Sequence, residues 1–238
     1  MRIEAKELQY SALNDAVRSS MDRSVEIFGC IGQRYLGAGL SDKDIVVHGT
    51  PGNALGAYLS GGSITVDGNV QEATGDTMNG GTIEVHGRAG DATGYAMRGG
   101  KILIEGDVGY RCGIHMKAYR TQRPVIVIGG RAGSFLGEYQ AGGLIVVLGE
   151  SNGPIVGNFC GTGMHGGEIL LRCSELNIAL PAQVKAERIQ GPGSEEAASI
   201  IREWCTRFGR DADAYLECIY YRLTPNTENP YRQMYTAN

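Results

Sequence analysis

No apolar run in this chain approaches the roughly 18 residues that would read as a bilayer-spanning helix. The opening stretch MRIEAKELQY has no apolar core, so it does not read as a secretory signal. No C-x-x-C occurs, and the six cysteines (30, 112, 160, 173, 205 and 218) are widely scattered. Together these absences suggest a cytoplasmic protein with reduced thiols. Positive charge is not in excess either. The 22 Lys and Arg against 26 Asp and Glu leave a net charge of −4, which argues against nucleic acid and anionic membrane as partners. The phosphate-cradling pattern G-x-x-x-x-G-K-[ST] is absent.

Glycine is abundant, at 37 residues, and all but Gly191, Gly193 and Gly209 lie between Gly29 and Gly167. They do not recur every third residue, which excludes a collagen helix. Instead Gly49, Gly68, Gly87 and Gly106 mark units of 19 residues. The unit from Gly106 to Gly130 has five extra residues, Gly130 to Gly149 returns to 19, and the last, ending at Cys173, is again five longer. Gly29 to Gly49 is a degenerate first copy of 20. Tandem units of this length predict a solenoid in which each unit covers its neighbours. The glycine spacings superficially imitate a dinucleotide fingerprint. That motif occurs once per domain and opens a helix, whereas these glycines recur and lead into strands.

Each unit holds one short strand signal: SITVD after Gly62, TIEVH after Gly81, KILIE after Gly100, PVIVIG after Arg123 and LIVVL after Gly143. Alternation places Ile64 with Val66, Ile83 with Val85, and Ile102 with Ile104 on one face. One five-residue strand cannot bury that face, but stacking at about 4.8 Å can. A second column, Leu59, Met78, Met97, Met116 and Met164, reads as a core ladder of flexible apolar side chains. No cysteine or histidine column is expected beside it. These features predict an all-β, right-handed parallel β-helix of about seven coils. A hexapeptide left-handed β-helix needs multiples of six, and the calcium-binding nonapeptide roll needs a pattern missing here. Residues 1–24 are expected to cover the first coil. A helix over 194–208, with Ser194 as N-cap and Gly209 as stop, is expected to pack on the last one, followed by an extended polar tail.

Chemistry-bearing residues are few in register. His48, Asp67, His86 and Glu105 share one outer-face position in four consecutive units. Such an imidazole–carboxylate ladder could hold a metal or move protons, yet it is also what a solvated face with relieved charge repulsion looks like. Asp76, Asp91 and Asp107 occupy different positions within their units, unlike the lined-up carboxylates of a polysaccharide-cleaving groove. His115 and His165 have no acid in matching register. No catalytic, cofactor-binding or metal-binding residue is therefore assigned. The two longer units carry the expected partner surface: Tyr119, Arg120 and Arg123 in the loop Ala118–Pro124, and Asn158 and Phe159 in Asn158–Gly163.

The repeated G-x-x-G-x-x-x-G-x-x-M-x-G-G-x-I-x-V-x-G unit, over about residues 14–173, resembles the GXGXG domain. That domain is the C-terminal β-helix of the glutamate synthase large subunit and the C subunit of formylmethanofuran dehydrogenase. The lead-in Asn14-Asp15-Ala16-Val17-Arg18, the entry at Gly29 and the helix with its tail are similar to the stand-alone domain 3 form of glutamate synthase. The resemblance divides the chain into a lead-in and cap (1–24), a GXGXG β-helix (25–173) and a capping helix with tail (174–238). It implies a non-catalytic structural subunit of a split glutamate synthase, which makes glutamate from glutamine and 2-oxoglutarate. A glutaminase-like amidotransferase subunit and an FMN and iron–sulfur synthase subunit would be partners, with the cofactors on those chains, and homo-oligomers are a further expectation. The same resemblance allows the corresponding subunit of formylmethanofuran dehydrogenase or of a methylamine–glutamate methyltransferase complex. A third possibility is an independent enzyme using the His48–Asp67–His86–Glu105 column.

Overall fold

A computed structural model describes residues 1–226. In chain order the elements are β1 (Arg2–Glu4), α1 (Tyr10–Ser19), β2 (Ser24–Ile31), β3 (Asp44–Thr50), β4 (Ser60–Asp67), β5 (Gly80–Val85) and β6 (Lys101–Ile104). They continue with β7 (Val125–Ile128), β8 (Ala141–Val147), β9 (Gly166–Arg172), β10 (Val184–Gln190), α2 (Glu195–Phe208), α3 (Asp213–Leu216) and β11 (Ile219–Pro225). The described chain is mostly β. Its strands form one 11-stranded sheet in the order β1-β2-β3-β4-β5-β6-β7-β8-β9-β11-β10. None of its helices is long and apolar enough to cross a membrane.

From β1 to β9 every neighbouring pair is parallel. One register runs unbroken through Ile45, Ile64, Ile83, Ile102, Ile126, Ile145 and Ile169. The five-residue insertions are absorbed outside the ladder, because Ile102 pairs with Ile126 and Ile145 with Ile169 across them. A second row of parallel bridges links Val70, Ala89, Val108, Ala132 and Val156. Isoleucines of the first row, apolar residues of the second, and Met78, Met97, Met116 and Met164 meet in one core, where the methionines and isoleucines are at most 1% exposed. Each such side chain contributes about 1.5–3 kcal/mol over leaving it in water. Gln140 stands in the methionine register of its unit. It is fully buried, and its Nε2 reaches the carbonyls of Gly142, Gly143 and Glu168 at 3.3–3.4 Å. Cys112 and Cys160 also enter this core, at a position that Leu55, Thr74, Thr93 and Leu136 hold in other units. Burial pushes both thiols up to about 12, so they act as small apolar fillers.

The turns joining the two rows repeat a left-handed conformation. Gly56 has φ +63°, and a Cβ there would lie 2.6 Å from Ile83 Cδ1. The side-chain-free backbone lets the next isoleucine enter the core. Two residues either side, non-glycines also take positive φ: Ala54 and Tyr58, and in later units Arg111 and His115, Phe135 and Tyr139. Each costs roughly 1–2 kcal/mol in isolation. Hydrogen bonds to both neighbouring units offset this: Tyr58 N–H donates to Asp76 O at 2.7 Å, and Gly56 N–H to Leu36 O at 2.8 Å.

At the amino end β1 flanks β2, and Leu13 and Val17 of α1 join the core. Gln33 Nε2 donates to Ala5 O at 2.8 Å, and the buried Lys43 Nζ donates to Ser20 O and Asp22 O at 2.7 and 3.0 Å. The carboxyl end departs from expectation. The sheet is mixed there, because β11 pairs antiparallel with both β9 and β10. Part of the expected extended tail is thus strand, and residues 227–238 lie outside the described region. The helix α2 begins and ends as predicted: Ser194 Oγ accepts from Ala197 N–H at 3.2 Å, and Gly209 is left-handed. It does not close the end of the stack. It lies across the outer face of the sheet, where Ile201, Trp204 and Cys205 pack on Leu103, Val127, Val146 and Leu170. Those four strand positions are apolar on the outward parity as well as the inward one, and a sheet face of that kind must be covered.

Candidate functional site

The outer-face column falls into two separate pairs. His48 Nε2 lies 2.9 Å from Glu26 Oε1 and its Nδ1 2.8 Å from Asp67 Oδ2, while its ring stacks on Phe28 at 4.4 Å. His86 Nε2 lies 2.7 Å from Glu84 Oε1, its Nδ1 4.0 Å from Glu105 Oε2, and Phe208 of α2 meets its ring edge-on at 5.0 Å. No direct hydrogen bond or ion pair joins Asp67 to His86. Glu26 and Glu84, which complete these pairs, sit one register away and escaped the spacing argument. Among the described residues no group of three or more His, Cys, Asp or Glu side chains is placed to hold a metal ion.

The acids of this face have a second task. Arg207 Nη1 reaches Glu84 Oε2 at 3.0 Å, Arg210 Nη2 reaches Glu105 Oε1 at 3.1 Å, and Lys101 Nζ reaches Glu203 Oε2 at 2.5 Å. Trp204 Nε1 donates to Ile104 O at 2.9 Å inside the seam. The chemistry available here is therefore that of a strut: ion pairs between the sheet and α2 with its C-terminal extension, two with the acid on the sheet and one with Glu203 on the helix, fix the register of α2, with the indole as the buried anchor. Partly exposed ion pairs of this sort contribute under about 1 kcal/mol each. The apolar seam carries the energy.

Of the expected interface residues, Tyr119 and Arg120 lie at an exposed tight turn closed by paired backbone bonds between Tyr119 and Gln122, with the Arg120 guanidinium 5.1 Å above the Tyr119 ring. Arg123 faces the other way. It pairs with Glu196 of α2 and, at 3.4 Å, with Glu168, tying the longer loop to the helix. Asn158 and Phe159 sit on the left-handed turn wall, where Phe159 stacks on Phe135 at 4.9 Å. Three aromatic residues near them were not anticipated. His115 stacks on Tyr139 at 5.1 Å with ring planes 9° apart, and meets Tyr95 edge-on at 6.0 Å. His115 and Tyr139 both fall two residues after the turn glycine, Gly113 or Gly137, and that shared offset was the available signal. His165 turns back on its own unit, with Nδ1 3.0 Å from Gly163 O.

The family model for the GXGXG motif matches residues 6–218, beyond the span of the repeats and through α2. An uncharacterized protein of Methanocaldococcus jannaschii is 39% identical over 251 residues, covering 99% of this chain and 96% of that protein. Among solved structures, a chain of the formyltransferase/hydrolase complex of Methylorubrum extorquens, determined with methylofuran, superposes with a TM-score of 0.63 at 24% identity. That match covers 87% of this chain and 80% of that one, and at such identity it shows a shared fold.

Proposed function

The chain belongs to the GXGXG motif family, and from that premise we propose that it is a non-catalytic structural subunit of a split, cytoplasmic glutamate synthase-type complex. Its wound segment is read as a right-handed parallel β-helix over residues 25–173, preceded by the lead-in at 1–24 and followed by the helix and carboxyl-terminal part at 174–238. Glutamine hydrolysis falls to a glutaminase-like subunit. The synthesis of glutamate from 2-oxoglutarate falls to a subunit carrying FMN and an iron–sulfur cluster. This chain contributes a rigid face against which both are held.

The observation that carries this reading is how the acid–base residues are used. His48 is bracketed by Glu26 and Asp67, and Glu84 and Glu105 are tied to Arg207 of α2 and to Arg210 just beyond its end. The side chains best suited to chemistry hold the fold together. A second reading, a subunit of a formyl-group-transferring complex such as formylmethanofuran dehydrogenase, is favoured by the fold shared with a chain of the formyltransferase/hydrolase complex. Purification of the native chain from its own cells at low salt, with co-eluting chains identified by mass spectrometry, separates the two. A flavin and iron–sulfur chain with an amidotransferase supports the first reading, and formyl-transfer chains support the second. A chain that elutes alone contradicts both.

A further inference from the structure

The aromatic strip on the turn wall is more than a packing device. Tyr95, His115 and Tyr139 form a run of ring contacts, and the outer two tyrosines keep 40% and 37% of their surface open. Phe159, stacked on Phe135 one column away, is 56% exposed. The wall beneath is stiff, since its backbone is hydrogen-bonded from unit to unit: Ala96 N–H donates to Ile114 O at 2.8 Å, His115 N–H to Glu138 O at 2.9 Å and Tyr139 N–H to Thr162 O at 2.8 Å. Rings held in place on a rigid backbone lose little freedom when covered, which is why such residues anchor interfaces.

The charges beside the strip say what covers it. Arg98 and Lys117 occupy the same position in consecutive units, so two like charges are stacked along one edge, and Lys117 N–H donates to Met97 O at 3.0 Å. Arg98 Nη1 donates to the carbonyls of Ala96, at 2.5 Å, and His115, at 3.0 Å, and Arg120 lies over Tyr119 at the same edge. None of these three cations pairs with a carboxylate of the described chain. The cations at the α2 seam do: Lys101 and Arg123 of the sheet side, Arg207 of α2 and Arg210 just beyond it each have an acid partner. Carboxylates along this wall are already engaged, Glu138 with Arg111 at 3.0 Å and Asp76, one unit before Tyr95 in the same register, with Thr77 Oγ1 at 2.8 Å. Stacked like charges repel unless a counter-charge is supplied from outside.

We propose that the Tyr95–His115–Tyr139 strip, with its rim of Arg98, Lys117 and Arg120, is the docking surface for an acidic, apolar-anchored polypeptide segment of a partner subunit. The proposal rests on the subunit reading and deepens it by assigning a face and a partner chemistry. Apolar side chains of the segment cover the rings while its carboxylates neutralise the three cations, so association weakens as salt screens the rim.

The test uses the native chain isolated with its partners. Amide exchange is compared between the complex and the free chain, and association is measured at low and high salt for wild type and for Lys117→Glu/Arg120→Glu. Both substituted side chains are exposed, and matching unfolding curves establish that the variant folds. Protection over residues 92–98, 109–120 and 135–140 is expected, with binding weakened about thirty-fold by the charge reversal and far less in Lys117→Gln/Arg120→Gln. A complex whose protection falls elsewhere, or that ignores both salt and charge reversal, overturns the docking surface and leaves the subunit reading standing. Concentration-dependent protection of the strip in the pure chain assigns it to a second copy and also overturns the proposal. Absence of any partner chain removes both readings. The exchange measurement is made on wild type, so it decides the matter even should a variant misfold.

Discussion

The front and rear halves of the sheet share an inner face and differ in their outer one. Along β3, β4 and β5 the outward residues are Val46, Thr65 and Glu84 beside His48, Asp67 and His86, a mixed face of ion pairs that α2 reaches only at its β5 edge, through Arg207 on Glu84 and Phe208 on His86. In β6 to β9 the same column reads Leu103, Val127, Val146 and Leu170, and α2 covers it. Inside, the isoleucine ladder passes through both halves without a change of register. The repeat thus dictates the core, while the outward parity of each strand decides what may lie on it. A sheet of equivalent repeat units acquires two distinct parts of one face, and among the described residues α2 packs its apolar stripe on the rear part.

The largest effect is expected from removing the anchor of the rear half. Trp204→Ala should cost about 3–5 kcal/mol in urea unfolding followed by circular dichroism, since it empties the seam and removes the indole that donates to Ile104 O. A cost near zero would mean that α2 is not held by that seam. Next, Leu103→Ala and Thr65→Ala compare one outward column position in the two halves. The first should cost about 2–4 kcal/mol and the second within about 0.5 kcal/mol. Equal costs would erase the distinction between the halves. On the inner face the difference should vanish, with Ile83→Val and Ile145→Val each costing about 0.5–1.5 kcal/mol.

Thiol titration is a smaller and independent probe. Burial pushes Cys112 and Cys160 up to about 12, whereas Cys173 and Cys218 are half-buried. The folded state therefore holds protons that the unfolded state releases above its ordinary thiol range near 8.5. Stability from these two groups is present below that range and is lost as pH rises toward about 12. Ellman's reagent at pH 8 should modify Cys173 and Cys218 well before Cys112 or Cys160. Rapid modification of all would show that the core opens freely.

Much of this architecture is legible in the chain because a 19-residue period is also a contact map. It brought Ile64, Ile83 and Ile102 into register and put Met78, Met97 and Met116 in the core. The helix was legible in extent and not in place. Its apolar stripe is visible, but its seat depends on Leu103, Val127, Val146 and Leu170, whose outward parity becomes meaningful only beside the inward one. Strands β10 and β11 were missed because they pair with each other across the whole segment 191–218, and a contact made once leaves no periodic trace. At the candidate site, register found His48, Asp67, His86 and Glu105 but not Glu26 or Glu84, which belong to the neighbouring column. Arg123 read as a surface residue because its partners, Glu168 and Glu196, are distant in sequence.

The most direct test of a structural role for the histidine–acid column is turnover by the proposed glutamate synthase-type complex carrying His48→Gln and His86→Gln. Residues that serve as struts predict glutamate formation from glutamine and 2-oxoglutarate within about two-fold of wild type, with the complex still assembled and stability lowered by no more than about 1 kcal/mol. A fall of about a hundred-fold or more in kcat, in a complex that remains assembled, would place those side chains in the reaction and contradict the scaffold.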